Sequence, residues 1–174
     1  MKLLDIVAHP HLEQSVINKA WMNRLQREPQ ITVHDLYGTY PNKIIDVAKE
    51  QQLLTEHDRI VFQFPMYWYS SPSLLKEWQD VVLTHGWAYG SNGTELRGKD
   101  FLLAISIGGS GNNYQAGGAN QFSVSELVKP FQAMANLTGM RFLPIFQKTG
   151  VNLFSNKEVR QSADELAAYL KAEH

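Results

Sequence analysis

Short apolar runs alternate with helix-period segments along the whole chain. The first run, Leu3 to Ala8, is apolar on both faces, the pattern of a strand covered by helices on each side. Ile17, Ala20, Trp21 and Leu25 then share one face of a helix that opens near Ser15. A second strand is expected over Ile31 to Leu36, a helix over Asp46 to Leu54, and a third strand over Arg59 to Phe64. Ser71 as N-cap and Pro72 in the first turn predict the next helix, with Leu74, Leu75, Trp78, Val81 and Val82 as its buried stripe. Phe101 to Ile107 reads as the fourth strand. Leu127, Phe131, Met134 and Ala135 share a face of a helix over Glu126 to Leu137. Pro130 delays or kinks that helix, and Gly139 stops it. A fifth strand follows over Met140 to Phe146. Ser155 and Glu158 form a capping-box signature for a last helix, with Val159, Ala163, Leu166 and Leu170 inside.

Five strands and five helices in alternation predict an α/β fold, a parallel sheet with helices on both faces, as one domain over residues 1–174. Of the two common doubly wound orders, chain length and strand count favour the flavodoxin-like three-layer sandwich, with its five-stranded sheet in order 2-1-3-4-5. Strands 1, 3 and 4 are then neighbours. The loops at their C-terminal ends meet at the topological switch point, where ligands of open α/β sheets bind.

Those three loops carry the candidate chemistry. The first, His9-Pro10-His11-Leu12-Glu13-Gln14-Ser15-Val16-Ile17-Asn18, has no glycine and so is no pyrophosphate loop. It offers a hydroxyl on Ser15, an amide on Asn18, a donor on His9 and helix N-terminal N–H groups, a set that suits a single phosphate. An N-cap serine alone is ordinary, so this loop by itself does not make a site. The second loop, Pro65-Met66-Tyr67-Trp68-Tyr69, places backbone groups to bond the edge of a planar ring, with aromatic side chains to exclude water. These aromatics also suit a core or a subunit contact, but consecutive aromatics on a surface loop favour function. In the third, Ser106-Ile107-Gly108-Gly109, the glycines permit close backbone approach to a flat ligand. Tyr114 beyond it offers a phenol to steady charge on a ring carbonyl, and reads equally as a surface tyrosine.

Composition narrows the classes. Hydrophobic residues are 44% and charged residues 19%, enough for a packed core. A net charge of -1, from 16 Lys plus Arg against 17 Asp plus Glu, gives no reason to expect nucleic acid. With no cysteine there is no disulfide, thiolate metal site or Cys nucleophile, which fits the cytoplasm. The apolar run after Met1 is too short for a signal peptide. His9 and His11 lack a third ligand and make a poor metal site, and no P-loop, G-x-S-x-G or H-E-x-x-H occurs. Lys76, Glu77 and Asp80 read as a solvated helix face.

Taken together, the run Gln63 to Tyr69, then Pro72-x-Leu74-Leu75-Lys76-x-Trp78, His85-Gly86-Trp87-Ala88-Tyr89-Gly90, Leu96-x-Gly98-Lys99 and Gly108-Gly109, resembles the flavodoxin-like NAD(P)H:quinone oxidoreductases. The branch it is most similar to contains the ancillary flavoproteins of glutathione-gated potassium efflux systems and the related bacterial general stress proteins. The resemblance implies a homodimer with FMN at each site. It also implies a ping-pong cycle in which NAD(P)H reduces FMN and reduced FMN passes a hydride to a quinone. By position it implies that His9, Ser15, Val16, Ile17 and Asn18 hold the phosphate and ribityl chain. Pro65, Met66, Tyr67, Trp68 and Tyr69 would line the isoalloxazine. Ser106, Ile107, Gly108 and Gly109 would bind its pyrimidine side, with Tyr114 as the catalytic phenol. It leaves room for a second role, a regulatory subunit of a potassium/proton antiporter, cytoplasmic and peripheral at the inner membrane through that partner. A one-electron carrier of true flavodoxin type would be strongly acidic, which this chain is not. Two departures stand out. Val16 and Ile17 replace small or polar residues and leave only backbone contacts. The stretch Gln115 to Asn120 lacks the histidine that partners the active-site tyrosine in animal quinone reductases, which points to a solvent proton.

Overall fold

The computed structural model describes all residues 1–174. Its sheet contains β1 (Leu3–Val7), β2 (Ile31–Asp35), β3 (Arg59–Pro65), β4 (Asp100–Ile107), β5 (Arg141–Phe142) and β6 (Phe146–Thr149). The strands run parallel in the order β2-β1-β3-β4-β5, with β6 also paired to β4. This is the expected 2-1-3-4-5 order with its last strand in two pieces. The break is a one-residue register shift: from Phe101 to Ala104 β4 advances three residues while the edge strand advances four, from Phe142 to Phe146. Leu143 N–H still donates to the Phe101 carbonyl at 2.8 Å, and Pro144 sits in the bulge that follows, on an edge strand where proline is tolerated. The single strand expected over Met140 to Phe146 is therefore corrected to two, the second reaching Thr149.

The helices are α1 (Ile17–Leu25), α2 (Leu36–Thr39), α3 (Val47–Thr55), α4 (Ser73–Val82), α5 (Val124–Leu127), α6 (Lys129–Thr138) and α7 (Asn156–Lys171). One sheet face packs Leu3, Val61 and Leu102 against Trp21 and Leu25 of α1 and Val159, Leu166 and Leu170 of α7. The other packs Ile6, Phe62, Leu103 and Ile105 against Leu54 of α3, Trp78 of α4 and Phe131 of α6. Trp21 and Trp78 are both fully buried, and each contributes on the order of 3 kcal/mol through apolar area alone.

Four local details differ from the sequence expectation. Pro72, not Ser71, stands at the N-cap of α4, and the Leu74 N–H donates instead to the Tyr37 hydroxyl at 3.2 Å. Val81 is exposed, on the outer side of α4. The helix expected over Glu126 to Leu137 is two, divided at Val128, because Pro130 is placed in the first turn of α6. A capping box, Ser123 with Glu126, starts α5. Strand β2 ends at Asp35, whose carboxylate accepts from Gly38 N–H at 3.0 Å and caps α2. The capping box of α7 forms as expected, with Glu158 N–H donating to Ser155 Oγ at 3.3 Å and Ser155 N–H to the Glu158 carboxylate at 2.7 Å. Gly139 closes α6 in the left-handed conformation, φ 73°.

Candidate functional site

The C-terminal ends of β1, β3 and β4 meet at one edge of the sheet, and a cavity of about 620 Å³ opens between their loops. That volume lies within the range of small-molecule and cofactor sites.

Its first wall is the entry to α1. The Ser15 hydroxyl accepts from Asn18 N–H at 3.1 Å. The Val16 and Ile17 N–H groups precede the first helical hydrogen bond and stay unpaired, aimed with the helix dipole at the cavity. The buried Leu12 anchors the turn before them. His9 Nδ1 accepts from His11 N–H at 3.0 Å, which leaves Nε2 to carry the proton. Burial, and next the neighbouring His11, hold the His9 imidazole below its ordinary pKa, partly offset by Asp35. His9 is therefore a neutral donor at pH 7.

The floor is a buried amide ladder. Asn18 is 2% exposed; its Nδ2 donates to Ser106 Oγ at 2.8 Å. Its main-chain oxygen accepts from Gln63 Nε2 at 3.0 Å. The start of α1 is thereby tied to β3 and β4. Met66 N–H donates to the Ser106 carbonyl at 2.9 Å and joins the second loop to the third.

The second loop turns sharply. Tyr67 and Ser70 exchange backbone hydrogen bonds of 3.0 and 2.9 Å, with Trp68 and Tyr69 between them at φ 48° and 62°. A two-residue turn with positive φ at both central positions ordinarily takes Asn or Gly. Two aromatics there carry strain of about 1–3 kcal/mol each. The result is a Trp68 side chain 93% exposed at the rim.

In the third loop, a Cβ on Gly108 would lie 2.6 Å from Asn152 Nδ2, so any larger residue there displaces the Asn152 side chain that lines the cavity. A Cβ on Gly109 would meet the Tyr114 ring at 3.4 Å.

Of the residues expected from sequence, His9, Ser15, Val16, Ile17, Asn18, Pro65, Met66, Tyr67, Ser106 and Gly108 come together around the cavity. Trp68 and Tyr69 stand outside its wall at the rim, and Tyr69 Oη reaches Asn120 Oδ1 at 3.4 Å. Ile107 is buried in the core on the opposite sheet face. Gly109 and Tyr114 pack against each other beside the cavity rather than in it. Sequence reasoning missed His11, Gln14, Val151, Asn152 and Phe154. The last three follow β6. The Thr149-Gly150 strand-to-turn signal, beside the loop of the adjacent strand 4, was the available pointer to them.

No Lys, Arg, Asp or Glu side chain lines the cavity. The α1 N-terminus, the Ser15 hydroxyl and His9 make one end suited to a phosphate. The Met66 carbonyl, which no backbone donor of the chain takes up, the Tyr67 side chain and Gly108 make the other end suited to a planar ring. These residues fit FMN.

The sequence profile of the family described as having a flavodoxin-like fold matches residues 1–172. A Bacillus subtilis protein named an uncharacterized NAD(P)H oxidoreductase, YrkL, is 64% identical over 174 residues, covering 100% of both chains. The ancillary protein KefG of a glutathione-regulated potassium-efflux system from Cronobacter sakazakii is 40% identical over 98% of this chain and 89% of its own. The crystal structure of general stress protein 14 from Treponema denticola, in complex with FMN, superposes with a TM-score of 0.94 at 42% identity, over 98% of each chain.

Proposed function

Because the chain belongs to the family of proteins with the flavodoxin-like fold, we propose that it is an FMN-dependent NAD(P)H:quinone oxidoreductase. The observation that carries this reading is the cavity itself: a phosphate-binding helix start and a glycine-lined slot, 620 Å³ in all, walled without a charged side chain. When bound, FMN supplies two-electron transfer chemistry between NAD(P)H and the acceptor, in a ping-pong sequence that uses one site twice.

The chain's own residues do the rest. The Val16 and Ile17 N–H groups, the Ser15 hydroxyl and His9 hold the phosphate. Asn18 and Ser106, fixed to each other at 2.8 Å, form the floor. Met66 would offer its carbonyl to the ring edge, while Tyr67 and the rim residue Trp68 would restrict water. Tyr114, packed on Gly109 beside the cavity, would offer its phenol to bound FMN as the catalytic hydrogen-bond donor. The stretch Gln115 to Asn120 holds no histidine, so the proton taken up by the quinone comes from solvent. The exposed apolar rim, with Val16 64%, Trp68 93% and Leu153 90% accessible, supports a homodimer that covers it. Steady-state turnover with NADPH and menadione should give parallel double-reciprocal lines. Intersecting lines would contradict the ping-pong assignment.

A second role rests on the likeness to KefG: binding to a membrane antiporter as an ancillary subunit. No helix of the chain is long and apolar enough to cross a membrane, so such an association runs through the partner. Co-sedimentation with antiporter-containing membranes, and none with antiporter-free membranes, tests it.

A further inference from the structure

The polar ladder under the cavity continues inward past Gln63. Gln63 Nε2 is spent on the Asn18 carbonyl, but its Oε1 is buried without a partner. One strand away lies Asp5, 0% exposed, with both carboxyl oxygens also unpartnered. Register places the two groups together. Asp5 pairs with Val61 and Val7 with Gln63, so Asp5 and Gln63 are diagonal neighbours on the same sheet face. The surroundings on that face are apolar, including Leu3, Val61 and Leu102, and no cation pairs with Asp5. An ionised carboxylate there is an unpaired buried charge, so the neutral acid is the form this site accommodates. A neutral carboxyl also supplies an O–H donor to a group of orphaned acceptors.

We propose that Asp5 is a positioning residue of the cavity floor: its neutral carboxyl, through one buried water, anchors the Gln63 amide, and Gln63 in turn fixes Asn18 and Ser106. The water accepts from the Asp5 O–H and donates to Gln63 Oε1. The link sets amide orientation. A flipped Gln63 would turn its oxygen toward the Asn18 carbonyl and release the start of α1. The inference rests on the FMN reading of the cavity, since its consequence is cofactor affinity.

The test compares Asp5→Val and Asp5→Asn in the full-length protein. FMN affinity is read by flavin fluorescence quenching, and floor rigidity by amide hydrogen exchange at Asn18 in FMN-free protein. Asp5→Val removes the donor and should raise the FMN Kd about tenfold, the effect of one net hydrogen bond. It should also speed exchange at Asn18. Asp5→Asn keeps a neutral donor and acceptor and should return both readouts to within about twofold of the parent. Parent-like FMN affinity and exchange in Asp5→Val would overturn the proposal. So would an Asp5→Asn variant as impaired as Asp5→Val. If the parent protein takes up no FMN, the functional reading is what fails, and the exchange comparison alone decides the role of Asp5.

Discussion

Asp5→Asn should change how stability depends on pH, by an amount the structure sets. Burial pushes the Asp5 carboxyl up from 3.8 to about 8. Below pH 3.8 the group is protonated in both folded and unfolded chains and adds no pH-dependent term. Between that value and about 8 the folded state keeps the proton while the unfolded state has lost it. The folded state then binds more protons, so stability falls as pH rises. At roughly 1.4 kcal/mol per pH unit, the penalty reaches about 4 kcal/mol at pH 7. Set against a typical total of about 5–15 kcal/mol, that is a large share. Asparagine carries no such term. Urea unfolding of FMN-free parent and Asp5→Asn, from pH 4 to pH 8.5, isolates the effect, because every other titrating group cancels in the difference. The two curves should nearly meet at pH 4 and diverge by a few kcal/mol at pH 8, with the variant the more stable. Parallel curves would place the Asp5 pKa near its ordinary value and show that burial does not hold the carboxyl neutral. A residue kept at such a cost, beneath a ligand cavity, is better explained by function than by folding.

Three further outcomes follow from particular contacts. Gly108→Ala should weaken FMN binding in a titration, since its Cβ would lie 2.6 Å from Asn152 Nδ2; adding Asn152→Ala should recover part of the loss. Trp68→Ala should leave thermal stability within about 0.5 kcal/mol, as expected for a side chain 93% exposed, yet weaken FMN binding or slow quinone reduction; unchanged binding and turnover would place Trp68 outside the site. Glu50→Leu should destabilise the protein by roughly 2–5 kcal/mol in urea titration, because it leaves two buried donors, Tyr40 Oη at 2.6 Å and Trp78 Nε1 at 2.8 Å, without their acceptor at about 1–3 kcal/mol each. His34 Nε2 also lies 3.0 Å from Glu50, as an electrostatic contact rather than an aligned hydrogen bond. Burial raises the Glu50 pKa, but these partners outweigh it and hold the group below its ordinary value. The stability it contributes is therefore present above the unfolded carboxyl pKa and lost as pH falls through the folded one.

The sheet order was legible because both-face apolar runs such as Leu102 to Ile107 mark central parallel strands, and alternation with helices leaves few topologies. The α1 entry and the second loop were legible for the same reason: once strands 1, 3 and 4 are neighbours, the residues after each must meet. Three kinds of feature were not. The bulge at Pro144 and the helix break at Val128 depend on one inserted residue and on where a proline falls in a first turn, and periodicity does not report either. Asn152 reaches the cavity only because β6 extends past Pro144 to Thr149 beside β4. The role of Asp5 was hidden because one acid in an apolar run still reads as strand. Only its register shows that it shares a sheet face with Gln63.

The most direct test of the account is to mix FMN-supplemented protein with NADPH, then NADH, without oxygen and follow the flavin absorption band. An FMN-dependent reductase should bleach rapidly with at least one donor and recover on adding menadione. Bound FMN that neither donor bleaches would contradict the reductase assignment, and a protein that takes up no FMN would contradict the assignment of the cavity itself.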